Sequence, residues 1–143
     1  MFNIRSWLFY ALLSAIFAAL TATFAKAGLK DVDSDLATAI RTSFVLLIVW
    51  SIVIFNGTLR GIPQISKSAW IFLILSAIAT GLSWLFYHRA LQMGKLSEVS
   101  AIDKSSLLFT VLLAFIIFRE PLSAKLLAGI ILIMAGMIVL SLK

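Results

Sequence analysis

Residues 90–136 read ALQMGKLSEVSAIDKSSLLFTVLLAFIIFREPLSAKLLAGIILIMAG. This stretch decides the fold. Its first apolar run, 99–118, carries an adjacent acid and base, Asp103 and Lys104, in its opening turns. The turn Arg119-Glu120-Pro121 follows, and then a second apolar run holding Gly129 and Gly136. At 1.5 Å per residue, runs of about 20 residues match the roughly 30 Å hydrocarbon thickness of a bilayer. A charge inside such a run costs roughly 2.5–3.5 kcal/mol at mid-bilayer on insertion scales, so it needs a partner or water.

Working outward, the composition agrees. The chain has 143 residues, of which 62% are hydrophobic, where soluble domains hold about 45–50%. We read one all-α, polytopic membrane domain spanning 1–143, with helices near 7–25, 36–55, 69–88, 99–118 and 122–142. The net charge is +6. The bases are scattered between apolar runs, which fits the positive-inside pattern and anionic headgroups rather than nucleic acid. With no cysteine, disulfides, thiolate metal sites and cysteine nucleophiles are excluded.

The first span follows a short basic lead, and Ala25-Lys26-Ala27 mimics a signal-cleavage site. Its apolar region of about 19 residues exceeds the usual 7–15 of a signal peptide, so we read an uncleaved helix. Asp31, Asp33 and Asp35 lie in the loop that follows. They lack the glycine and distal glutamate of a calcium loop, and Asp35 is placed to cap the second helix. Arg41 lies roughly 7.5 Å into that helix. It either snorkels to the headgroups or turns inward to meet an acid or an anionic substrate. The loop 56–68, with Gly57, Gly61 and Pro63, is expected outside the membrane.

In the third helix Ser76, Thr80, Ser83 and Tyr87 share one face, with Trp84 and His88 beside it. This polar stripe either lines a path or makes interhelical hydrogen bonds. His88 reads as an interfacial polar residue or a proton carrier. In the fourth helix Asp103, Ser106 and Thr110 share a face, and Lys104 points about 100° away in an uninterrupted helix. Asp103 therefore needs a partner elsewhere: Arg41, at similar depth, is the expected one, and in a dehydrated cavity without a cation the acid would instead carry a proton. Gly129 and Gly136 form a small-residue strip for helix packing, within the chain or along a dimer seam. Glu120 is expected to stabilise the start of the fifth helix through its dipole. Arg41, His88, Asp103 and Lys104 all lie near the same ends of their helices, which suits a polar vestibule. No catalytic constellation, metal set or cofactor motif is found in the sequence.

From Ala90-Leu91 through Ser97, Phe118-Arg119-Glu120, Gly129 and Gly136, the spacing resembles that of the EamA domain of the drug/metabolite transporter superfamily. Arg41 resembles the arginine usual within the family's second helix, and Lys26 a basic residue after its first. Leu107 stands where the family often has proline, and Arg119 where it usually has glycine. The segment 101–105 looks like that of short, single-repeat members. The resemblance implies a half-size secondary transporter of small metabolites or drugs in a bacterial or archaeal inner membrane. Larger members hold two inverted repeats, which surround a midplane site and rock to expose it. An antiparallel homodimer, or a heteromer with a related small membrane protein, would rebuild that arrangement. The helix faces and embedded charges described above make the candidate pathway residues Arg41, Thr80, Ser83, Trp84, Tyr87, His88, Asp103, Lys104, Ser106 and Thr110. The rival readings are a non-transporting partner subunit and a component of a lipid-carrier flippase.

Loop charges bear on the dimer directly. Five spans put the termini on opposite sides. One side has Arg5, Arg60, Lys67, Arg119 and Lys125, and the other has Lys26, Lys30, Arg89, Lys95 and Lys143. The tie leaves orientation weakly specified. Dual insertion is the expected outcome, and two lysines added to either side should bias a terminal topology reporter towards one orientation. A single fixed orientation of the native chain, expressed alone, would refute it.

Overall fold

The computed structural model describes residues 4–142. Every element of regular structure in that range is helical: α1 (Ile4–Gly28), α2 (Ser34–Phe55), a short 3₁₀ helix (Thr58–Gln64), α3 (Lys67–Met93), α4 (Leu96–Asp103), α5 (Ser106–Phe118) and α6 (Ala124–Ser141). Four stretches are long and apolar enough to cross a membrane: Ser6–Gly28, Ser34–Phe55, Lys67–Met93 and Leu96–Phe118. A shorter apolar helix, Ala124–Leu140, follows. This is an all-α membrane protein of about five spans.

The chain falls into two compact units, divided between Met93 and Gly94. In the first, α3 packs against both α1 and α2. Asp33 starts α2, its Oδ1 accepting from the backbone N–H groups of Asp35 (2.9 Å) and Leu36 (3.1 Å). Two orphan donors at the helix start are thereby satisfied. The cap expected at Asp35 is thus made by Asp33, which frees the Asp35 carboxylate. Gly57 leaves α2 at φ 68°, a left-handed conformation that suits glycine. The α3 helix runs past the expected end at His88 because Ala90, Leu91, Gln92 and Met93 are acceptable helix formers and the first breaker is Gly94. Buried side chains gather at the end of α3: Leu91 and His88 there, Ser34 and Thr38 in α2, and Leu29 in the turn between α1 and α2.

In the second unit α4 packs against α6. The fourth span differs from the single helix 99–118 read from the sequence. It breaks after Asp103, where Lys104 N–H bonds to Ala101 O (3.1 Å) and Ser105 N–H to Ile102 O (2.9 Å), both tightened i to i−3 contacts. The expectation that Lys104 cannot satisfy its neighbour is corrected here. Lys104 Nζ lies 3.6 Å from Asp103 Oδ2. With the helix ended, the flexible lysine stem folds back onto the carboxylate.

The turn after α5 also corrects a reading. Arg119 ends the helix at φ 53°, ψ 34°. Both its N–H and that of Glu120 (3.3 Å) point to Ala114 O, the pattern by which left-handed caps satisfy the last carbonyls. The α6 cap is Ser123, whose Oγ accepts from Leu126 N–H at 3.1 Å. Glu120 precedes that cap by three residues and is exposed, too far to serve the α6 dipole, whose effect fades within a turn. It belongs to the turn through its backbone. A Cβ added at Gly129 or Gly136 would meet no atom within 4 Å among the described residues of the second unit.

Arg119 is the non-glycine residue held at positive φ among those described. A left-handed conformation costs an L-residue about 1 kcal/mol or more relative to glycine. Arg119→Gly should raise stability by about 1 kcal/mol, read as a higher midpoint of thermal unfolding in detergent. An unchanged or lower midpoint would show that the arginine side chain contributes more than its backbone costs.

Candidate functional site

Arg41 and Thr38 lie one turn apart on α2, and Trp84 and His88 one turn apart on α3. Helix packing brings the four together. His88 is 1% exposed and uses both ring nitrogens: Nδ1 lies 2.6 Å from Thr38 Oγ1, and Nε2 lies 2.9 Å from Arg41 Nη1. Thr38 Oγ1 also lies 2.7 Å from the carbonyl of Ser34.

The proton positions follow from chemistry. A guanidinium only donates. Nε2 must therefore accept from Arg41, which places the ring proton on Nδ1. Nδ1–H donates to Thr38, and the threonine hydroxyl, with one proton to give, donates to Ser34 O. Every group in the chain is satisfied with His88 neutral. Protonating Nε2 would break the bond to Arg41 and set two positive charges side by side. The proton-carrier reading of His88 therefore loses ground.

Arg41 is fixed a second time by the face of Trp84, whose ring centroid lies 4.5 Å from the guanidinium carbon. A cation over an indole is worth roughly 0.5–2 kcal/mol, more as water is excluded. Around this core the ends of the helices are tied. Arg89 grips Asp35 with two bonds, Nε to Oδ1 at 3.2 Å and Nη2 to Oδ2 at 2.6 Å. Gln92 Nε2 donates to Val32 O at 2.7 Å, and Lys26 Nζ donates to Leu91 O. The α1–α2 turn is held onto the end of α3 by these bonds.

A cavity of about 440 Å³ opens beside Arg41 and His88, walled by α1, the following turn and α2. Such a volume lies within the usual range for small-molecule sites, roughly 300–1,000 Å³. Its walls are mostly apolar, including Phe24, Leu29, Val32 and Ile40.

The other residues singled out from the sequence are placed as follows. Tyr87 is half-buried, its ring 6.1 Å from that of His88. Thr80 and Thr110 are exposed, and their hydroxyls donate to the carbonyls of Ser76 (2.8 Å) and Ser106 (2.9 Å) in their own helices. Ser83 and Ser106 are exposed. Asp103 and Lys104 pair with each other in the second unit, while Arg41 takes His88 and Trp84 as partners in the first. Thr38, Ser34 and the Asp35–Arg89 pair were not foreseen. Only the one-turn spacing of Thr38 and Arg41 hinted at the first. Among the described residues no group of His, Asp and Glu side chains is arranged to hold a metal ion.

Thr38→Val keeps the shape and removes the acceptor for a buried N–H. It should cost about 1–3 kcal/mol, against little for Thr80→Val, whose hydroxyl is exposed and bonded within its own helix. Paired thermal unfolding of the two variants in detergent checks this. Equal losses would mean that the Thr38–His88 bond does not bear on stability.

Comparison with known proteins gives a consistent result. The profile of the EamA-like transporter family matches residues 5–142. A Sinorhizobium sp. protein named "Uncharacterized transporter in cobO 3'region" is 42% identical over 137 residues, covering 96% of this chain and 97% of that relative. No solved structure matches the chain. With a family profile extending over nearly all its length and a relative of this identity, the chain belongs to the EamA-like transporter family.

Proposed function

We propose that this protein is a half-size secondary transporter of small metabolites or drugs, working as an antiparallel homodimer by alternating access. One observation carries the reading: a guanidinium held within membrane-spanning helices lines an apolar cavity of ligand size. A charge at such a position is costly. A purely structural subunit gains little from holding it beside a cavity.

Other features support the same reading. The match covers almost the whole of a relative that is itself named a transporter. The loop charges tie, which favours insertion both ways. In an apolar 18-residue stretch of each of the four long spans at most 6% of the residues are buried, leaving broad apolar faces for lipid and for a second copy. Two copies inserted in opposite senses would supply the inverted pair of repeats that rocking requires. A bacterial inner membrane is the expected location, in keeping with the Sinorhizobium relative.

The test is counterflow in proteoliposomes containing the purified protein alone, with labelled organic acids, amines and neutral solutes as a panel. At least one class should exchange, and Arg41→Gln should slow that exchange tenfold or more while Ser51→Ala, at an exposed hydroxyl bonded within its own helix, leaves it near wild type. Failure of every class to exchange would favour the partner-subunit reading. Exchange unaffected by Arg41→Gln would remove Arg41 from the path.

A further inference from the structure

We propose that the cavity beside Arg41 binds an amphiphilic monoanion, a carboxylate carried on a compact apolar body, and that His88 is the positioning residue for the guanidinium that receives it. That the ligand is also cargo rests on the transporter reading; that it binds does not.

The charge follows from the residues around the cavity. Among the described residues of the first unit its lining has one cation, Arg41, and no carboxylate. His88 is neutral by the bonding described above. The nearby Arg89 is already matched by Asp35. One positive charge is therefore left to answer, which selects a single negative charge.

The shape of the charged group follows from the guanidinium. Arg41 spends Nη1 on His88 and one face on Trp84. Its Nε–Nη2 edge has no carboxylate partner among the described residues. Arg89 uses that same edge to grip both oxygens of Asp35. The planar fork fits two oxygens of one carboxylate better than a point charge would. Because Arg41 is held from two sides, less rotamer entropy is lost when the anion arrives.

The body follows from the walls. Phe24, Leu29, Val32 and Ile40 offer hydrocarbon, and Thr21 adds a hydroxyl. At about 30 Å³ per water-sized group, the 440 Å³ volume holds roughly fifteen such groups. That suits an aryl or short alkyl acid. A lipid phosphodiester carries the same single charge, and the experiment separates the two sources.

The probe is radiolabelled phenylacetate, with phenylacetamide and phenethylamine as the neutral and cationic counterparts of nearly the same shape. Binding is measured on the intact protein in nanodiscs of zwitterionic lipid. Phenylacetate should bind saturably, and the amide and amine at least tenfold more weakly. Arg41→Gln should lose tenfold or more, and Arg41→Lys less. His88→Ala should weaken binding several-fold, and His88→Gln, whose carbonyl still accepts from Arg41, should recover most of the loss. Recovery by glutamine marks a positioning role that mere loss of packing would not show.

Equal binding of acid and amide, or binding undiminished in folded Arg41→Gln protein, would overturn the proposal. So would competition by phosphatidylglycerol added to the nanodisc, which would assign the cavity to a lipid headgroup. The two readings fail separately. If phenylacetate binds as expected but no solute exchanges in proteoliposomes, the site stands and the transporter reading falls. If some solute exchanges but phenylacetate binding is undiminished in folded Arg41→Gln protein, the transporter reading stands and the anion site falls.

Discussion

Arginine donates hydrogen bonds and never accepts them, and in this protein that asymmetry orders everything near it. Arg41 fixes the tautomer of His88, His88 fixes the direction of its bond to Thr38, and Thr38 hands its proton to a helix carbonyl. The whole sequence of bonds runs one way, from a cation on α2 through a ring on α3 and back to the backbone of α2. Among the described residues, no buried side-chain nitrogen or oxygen lacks a partner. In hydrocarbon an unpaired group of this kind costs several kcal/mol, so the packing of α2 on α3 is tied to the completeness of that set.

The arrangement is unusual as a core. Among the described residues few apolar side chains are buried: Ala22, Leu29 and Leu91 in the first unit and Ile130 in the second. A soluble domain of this length could not persist with so little apolar burial. In a bilayer the exposed leucines, isoleucines and phenylalanines are already in an apolar solvent, so helix association is driven by packing, polar bonds and small residues instead. The polar cluster at the end of α3 is thus where specificity of helix pairing is concentrated, and the cavity lies against it. Stability and binding chemistry draw on the same residues.

The ends of helices show how local chemistry sets what remains available for long-range contacts. Because Asp33 takes the cap of α2, Asp35 is left to hold Arg89. Because α4 stops at Asp103, Lys104 turns back to its neighbour. Because Ser123 caps α6, Glu120 is left in the turn with its carboxylate exposed. In each case the place where a helix begins or breaks reassigned a charge that the sequence pattern had placed elsewhere.

The sequence by itself determined the solvent, the helical class and the approximate spans, because hydrocarbon permits only apolar runs of limited length whose backbone bonds are closed internally. It also picked out Arg41, Trp84 and His88, since charged and polar residues inside such runs are rare enough to stand out. It could not show which partners they take. Thr38 is an ordinary threonine in the sequence, and 50 positions separate it from His88. Its role arises only when α2 meets α3 with that turn facing inward. The break at Asp103, the left-handed Arg119 and the cap at Ser123 depend likewise on where each helix stops. Hydropathy averages over about 20 residues and cannot resolve a single hydrogen bond, whereas the identity of a buried partner is decided at 2.6–2.9 Å, by which side chains the packed helices bring within reach.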